Sequence, residues 1–149
     1  MVRKINWRDI TELIAVTSVI LSLVFVGFEL RQNSRIASAA EYREIMNRLD
    51  AQRSLLAEDP TLAEIYRHYQ RQTTNELTEI EYQQLTFIVA NILSTYEIAY
   101  FSRQYRVVGD SEWERFSSGA CTQYVRANSM GYIPLFLSSD FRSYLDGSC

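Results

Sequence analysis

Residues 13–28 read LIAVTSVILSLVFVGF, a run of sixteen residues without a charged side chain in a chain that is otherwise polar. A membrane-spanning helix usually contains about 20 apolar residues, and roughly 17 is the short limit. Ile10 and Thr11 extend the run on one side, and Leu30 extends it on the other. Trp7 stands where an aromatic anchor at a membrane interface is expected. The run predicts a membrane span within an N-terminal domain, residues 1–31, followed by a helical bundle domain, residues 32–149.

Two other interpretations of this run are open at the level of sequence. A core or interfacial helix has a similar composition, and a signal peptide also combines a basic start with an apolar centre. The basic stretch RKINWR at 3–8 and the small residues ASA at 37–39 fit a signal peptide. However, the charged segment ELRQNSRI at 29–36 separates the run from that cleavage-like site. This spacing favours a membrane span.

A stripe of small and polar residues runs along the predicted span. Its members recur at alternating intervals of four and three residues, which keeps them on one helix face. We call them the polar stripe: Thr11, Ala15, Ser18, Ser22, Phe25 and Glu29. Small residues let membrane helices approach closely, and serine hydroxyls can bond across the contact. We therefore predict an oligomer face on this stripe, and the alternative is a small pore in which Ser18, Ser22 and Glu29 line a path for cations.

The rest of the chain predicts helices throughout. No Gly or Pro occurs between Gly27 and Pro60, and apolar residues recur at roughly helical spacing, so the first helix should run on to the residues EDP at 58–60. Asp59 is the expected N-cap of a second helix, with Pro60 in its first turn. No segment alternates with the period of two that a strand requires. The fold class is therefore all-α, with a long first helix packed with a small C-terminal bundle.

Capping signals mark the later helices. Thr78 and Glu81 have the spacing of a capping box, which predicts a third helix over residues 79–106 at the centre of the bundle. After Gly109 ends the third helix, Asp110 or Ser111 should cap a fourth, and Ser111 and Glu114 repeat the spacing of a capping box. After Pro134 we expect a short closing helix that is capped by Ser139 and stopped by Gly147.

These segments together resemble a bacterial family of small single-span helical proteins, itself uncharacterised, in which an N-terminal apolar helix runs into an RQN signature. The matching stretches are RQN at 31–33, AEDPTLAEIY at 57–66, SEWERF at 111–116 and SDFRSYLD at 139–146. This chain departs from the family pattern in its basic N-terminus. The resemblance implies the fold and an anchor in the bacterial inner membrane, and it implies no chemistry.

Basic residues flank the predicted span on both sides. Cytoplasmic segments next to a span carry an excess of Lys and Arg. Three such residues precede the span and four follow it closely: Arg3, Lys4 and Arg8, then Arg31, Arg35, Arg43 and Arg48. The counts nearly balance, and the arginines that begin at the edge of the span favour a cytoplasmic bundle domain.

Composition and the scarcity of histidine bear on function. A net charge of −3 and a pI near 5.2, with no basic stripe after residue 55, argue against nucleic-acid binding. General acid–base chemistry most often uses histidine, and the chain has only His68, which we expect on the solvated face of the second helix. Glu64 lies four residues before His68, but the two Glu-x-x-His motifs of a di-iron bundle are missing. We expect no enzyme, no metal and no cofactor, and a bilayer with further copies or other membrane subunits as partners.

Glu97 is the most unusual carboxylate, because its predicted helix is otherwise apolar there. A buried Glu must be paired or protonated, so we expect it to meet an arginine such as Arg103 or Arg126. Aromatic residues near it should fill the core, with a ligand pocket as the alternative: Tyr96, Tyr100, Phe101 and Tyr105.

The chain has two cysteines, too few for a disulfide scaffold and too far apart for a Cys-x-x-Cys pair. Cys121 is expected as a small buried residue of the fourth helix, and Cys149 as a thiol in the C-terminal tail. The sequence leaves the redox compartment of the protein open.

Overall fold

The computed structural model describes residues 7–131 and 136–149, the side chain of Asp9 excepted. These residues form α-helices joined by short connections, with a 3-10 turn at Thr74–Glu76. The helices are α1 (Trp7–Glu58), α2 (Pro60–Arg71), α3 (Glu79–Gln104), α4 (Asp110–Ser129) and α5 (Ser139–Ser148). No strand occurs among the described residues. The predicted all-α fold with a long first helix is confirmed.

The chain divides into two compact units, Met1–Ser38 and Ala39–Cys149, and the division falls inside α1. In the first unit, every side chain from Thr11 to Ala37 is exposed. The second unit contains the buried core. The boundary between residues 31 and 32 stays a prediction, since it rests on the expected edge of the membrane.

The second half of α1 is part of the bundle. Ile45 and Leu49 lie on one face of the helix and are buried in the core. On the same side, Glu41 accepts a hydrogen bond from the hydroxyl of Ser102 on α3, with an oxygen–oxygen distance of 2.9 Å. The Gln52 amide donates to the Thr95 hydroxyl across 3.2 Å. Apolar burial and two polar contacts therefore hold residues 41–52 against α3.

The first two predicted caps are confirmed. One oxygen of the Asp59 carboxylate accepts from the backbone N–H groups of Thr61 and Leu62, at 2.8 and 3.2 Å, and Pro60 opens α2. Thr78 and Glu81 form the reciprocal capping box at the start of α3. Each cap satisfies backbone donors that the first turn of a helix leaves without a partner.

The later caps differ from the prediction. Gly109 is the N-cap of α4, and the Ser111 hydroxyl lies 2.9 Å from the carboxylate of Glu112, so the expected capping box with Glu114 is wrong. A glycine reaches the extended N-cap conformation without a side-chain bond, so the cap lies one residue before Asp110 and two before Ser111, the two expected caps. The expectation that Gly109 ends the third helix is also wrong, because α3 already ends at Gln104. Pro134 lies outside the described residues.

The closing helix is also shifted by one residue. Ser138 caps α5, because its hydroxyl accepts from the backbone N–H of Phe141 at 3.3 Å, where Ser139 was expected. The helix continues through Gly147 to Ser148, so the predicted stop is wrong as well. Phe141 and Leu145 are fully buried and carry α5 into the core.

The central position of α3 follows from its neighbours. It packs against α2 and α4, and its buried residues occupy the middle of the bundle. Gly119 on α4 faces the hydroxyl of Tyr96, and a Cβ added at this position would fall on that ring. A glycine here lets α4 approach α3 closely at an aromatic side chain.

Candidate functional site

The polar stripe lies on the exposed part of α1. At 100° per residue, its six members fall within an arc of about 80°, and they extend over roughly 27 Å of helix. All six side chains are exposed in the isolated chain. The arc is narrow enough to face one neighbouring helix, and its length approaches the roughly 30 Å thickness of a hydrocarbon core. Whether the stripe is an oligomer face stays a prediction.

The hydroxyl groups of the stripe bond to their own helix. Thr11, Ser18 and Ser22 each donate to the backbone carbonyl four residues earlier, at 2.8 Å in all three cases. These bonds satisfy the hydroxyl donors within one helix, so that no second helix is needed to satisfy them in lipid. The oxygens keep lone pairs that can accept a bond from a neighbour. Small side-chain size, more than free donors, is therefore what the stripe offers to a second helix.

Most of the other side chains between residues 13 and 28 are large and apolar, with Thr17 and Gly27 as the exceptions. Leu21, Leu23 and Phe28 are each more than 60% exposed, and Trp7 at the start of α1 is 81% exposed. By length and composition, both α1 and α3 are long and apolar enough to cross a membrane. None of the most apolar window of α1 is buried, whereas 39% of the corresponding window of α3 is. Packing in the bundle accounts for part of the apolar character of α3, and nothing within the described residues covers the apolar part of α1.

Glu97 binds a helix start instead of an arginine. Its carboxylate accepts the backbone N–H of Ser138, the N-cap of α5, at 2.7 Å. Arg103 pairs with Asp110, with 3.0 Å between the Nε and Oδ1 atoms, and Arg126 lies over the ring of Tyr69. The expected ion pair is therefore wrong. A helix N-terminus carries partial positive charge and free N–H groups, so it stabilises a half-buried carboxylate as an arginine would.

The aromatic residues of α3 divide between core and surface. The ring of Tyr100 lies at the centre of a cluster, with ring centroids 5.8 Å from Trp113, 5.2 Å from Phe141 and 5.1 Å from Tyr144. Tyr105 is 78% exposed and stands apart from the core. These contacts favour core packing for Tyr100, the first of the two interpretations.

A cavity lined in part by Tyr69, Tyr82 and Met130 measures only about 10 Å³. A single water molecule needs roughly 10–15 Å³ of such space. This cavity is therefore too small for an organic ligand.

His68 is more enclosed than predicted. Its side chain is 23% exposed, and its Nδ1 atom lies 2.9 Å from the hydroxyl of Thr73. Carboxylate oxygens of Glu64 and Glu76 lie 3.6 and 3.5 Å from the ring nitrogens. The histidine thus joins the end of α2 to the 3-10 turn that follows. Within the part of the chain that the structure describes, no three His, Cys, Asp or Glu side chains are arranged to hold a metal ion.

The two cysteines form a disulfide, which corrects the expected buried residue and tail thiol. Cys121 on α4 bonds to Cys149, the C-cap of α5, and their Cα atoms are 5.3 Å apart. Beside this bridge, the Tyr124 hydroxyl donates to Asp146 across 2.5 Å. Burial, and then the bond to Asp146, raise the pKa of the Tyr124 phenol. The pairing links residues 28 apart along the chain, and helical periodicity carries no signal for such a contact.

Comparison of the chain with protein-family models, with curated proteins and with solved structures finds no match.

Proposed function

We propose that this chain is a membrane-anchored structural or interaction protein without a catalytic role. In this proposal the apolar part of α1 crosses a bacterial inner membrane once, and the polar stripe contacts either further copies of the chain or the spans of a larger membrane complex. The lipid bilayer is the first partner, and nucleic acid is not one. The observation that carries the proposal is the polar stripe itself, an exposed narrow arc of mostly small or polar residues on a segment, residues 13–28, whose other side chains are mostly large and apolar.

The arrangement of side chains supports contact between helices. Lipid tails are as apolar as leucine, so the large apolar residues of α1 are satisfied in a bilayer without any protein partner. Ala15, Ser18 and Ser22 leave a shallow surface along which a second backbone can approach, and close approach is what drives helix association in lipid. A single span also leaves Glu29 at the edge of the hydrocarbon region, where a neighbouring helix or the headgroups can shield it.

A cation pore is the less favoured candidate. A conducting path requires polar groups that face water. In the stripe, Ala15 and Phe25 are apolar, and the serine hydroxyls already donate to their own backbone carbonyls. These features suit a packed contact better than a water-filled one.

Disulfide trapping between copies tests the proposal in native membranes. Cys121 and Cys149 are bonded to each other, so one introduced cysteine supplies the only free thiol. We expect Ser18→Cys to form covalent dimers on mild oxidation. Ile20→Cys, which lies about 180° from Ser18's stripe on the helix, is the matched control and should stay monomeric.

Purification of the wild type in mild detergent completes this test. A dimer from Ser18→Cys supports self-association, and a stoichiometric co-purifying membrane subunit supports the accessory role. Equal crosslinking of the two variants, together with a wild type that has no partner, contradicts the proposal.

A further inference from the structure

The disulfide between Cys121 and Cys149 carries information about the compartment of the bundle. These are the only two cysteines of the chain, so their pairing leaves no free thiol. Disulfides persist in oxidising compartments, including the bacterial periplasm, and are rare in the cytosol, where thiol reductants keep cysteines reduced. We propose that the bundle, residues 39–149, lies on the non-cytoplasmic side of the membrane and that the N-terminus lies in the cytoplasm. The inference rests on the membrane span of the proposed function.

The bridge belongs to the structure of the bundle. It joins the middle of α4 to the C-cap of α5, and α5 buries Phe141 and Leu145 completely. The hydrogen bond between Tyr124 and Asp146 holds the same two helices together. A short helix of ten residues is marginal by itself, so a covalent tie at its end helps to keep it docked. The folded bundle therefore includes the bridge, and we expect it in a compartment where disulfides form.

Formation of the bridge needs an electron acceptor. Two thiols lose two protons and two electrons as the sulfur–sulfur bond forms. Thiol–disulfide exchange passes these electrons to a disulfide-bearing oxidant, which is reduced to a dithiol. Oxidants of this class act outside the cytoplasm in bacteria. The chemistry of the bridge thus agrees with its location.

Charge near the span does not oppose this orientation. Arg3, Lys4 and Arg8 lie within ten residues before the uncharged run, and Arg31 and Arg35 lie within ten residues after it, whereas Arg43 and Arg48 are farther away. Acidic residues contribute little to the orientation rule, so counts of basic residues that nearly balance leave the orientation undecided. The disulfide favours the non-cytoplasmic side for the bundle. This orientation is the opposite of the one expected from the sequence.

The amine chemistry of the chain offers a direct test. Lys4 is the only lysine, so a membrane-impermeant amine reagent reports the N-terminal side of the membrane alone. In intact spheroplasts we expect no labelling of the full-length wild type, and labelling after detergent is added. The matched variant combines Lys4→Arg with Arg115→Lys, which moves the lysine to an exposed position on α4. This variant should be labelled in intact spheroplasts.

Thiol trapping provides the second readout. Cells are quenched with acid, and denatured protein is treated with a polyethylene glycol maleimide before or after reduction. We expect no adduct before reduction and two adducts after it.

The outcomes separate the two proposals. Labelling of the wild type in intact spheroplasts, or two adducts without reduction, overturns the orientation when carbonate-washed membranes retain the protein. Release of the full-length protein by carbonate overturns the membrane span, and the orientation with it.

Discussion

Removing the disulfide should destabilise the bundle by a predictable amount. Cys149→Ser is the cleanest change, because Cys149 is exposed and its loss leaves no cavity in the core. The bridge closes a segment of 28 residues. In the chain-entropy model, a loop of this length contributes about 3.6 kcal/mol at 25 °C by restricting the unfolded chain. With a urea slope of about 1–3 kcal/mol per M, that loss lowers the urea midpoint by about 1–4 M.

Fluorescence of Trp113 reports the unfolding. Trp113 is buried in the aromatic cluster, and Trp7→Phe removes the other tryptophan of the chain. Urea titrations of the full-length protein in detergent then follow Trp113 alone, for the parent and for Cys149→Ser. Each protein is measured with and without a reductant.

Reductant should lower the midpoint of the parent to that of Cys149→Ser and leave the variant unchanged. Coincident curves for the oxidised parent and Cys149→Ser would show that the bridge contributes nothing to stability. A reductant effect of equal size in Cys149→Ser would show that it acts elsewhere. Either result refutes the reasoning from loop closure.

Three further predictions concern the polar stripe, helix packing and pH. In native membranes, Ser22→Leu should reduce crosslinking between copies several-fold while Leu23→Ala leaves it unchanged, because only Ser22 lies on the stripe; an equal response of both variants contradicts the assignment. Gly119→Ala should lower the free energy of unfolding by about 1–3 kcal/mol, measured by urea denaturation, because its methyl group meets the Tyr96 hydroxyl. The folded-state pKa of Tyr124 is raised, so its contribution to stability should be fully present below pH about 10, the ordinary tyrosine pKa. This contribution should be lost as pH rises through the folded-state pKa. Thermal melts of wild type and Tyr124→Phe measure this, and the loss should be smaller in the variant; equal losses contradict the role of Tyr124.

Sequence predicted the features of this fold that depend on neighbouring residues. Asp59 with Pro60, and Thr78 with Glu81, act within one helical turn, so their spacing suffices to place the caps. The same logic fails by one or two residues where equivalent candidates adjoin. Ser138 and Ser139 are adjacent residues of the same type, and Ser138 is the N-cap in the structure.

Contacts between residues far apart in the chain could not be predicted from capping signals or helical periodicity. Cys121 bonds to a residue 28 positions away, and Glu97 accepts from a backbone group 41 positions away. Helical periodicity indicates which face of a helix is buried, and it does not indicate which residues of another helix meet that face. The polar stripe was accessible because its members share one helix, whereas what it contacts depends on a second chain.

The energies of the polar stripe indicate how its association should be observed. Polar contacts between membrane helices average about 0.6 kcal/mol, so three hydroxyl residues supply roughly 2 kcal/mol per pair of helices. A dissociation constant of 1 mM already corresponds to about 4.1 kcal/mol. Because the hydroxyls of Thr11, Ser18 and Ser22 donate to their own backbone, their contribution falls at or below that average. Close packing at Ala15 and confinement of the helices in the bilayer must supply the remaining free energy. Extraction into detergent weakens the effect of confinement. Crosslinks formed in the membrane, followed by a monomer in detergent, therefore indicate a weak self-contact, whereas a partner that survives extraction indicates that a larger complex provides the additional surface.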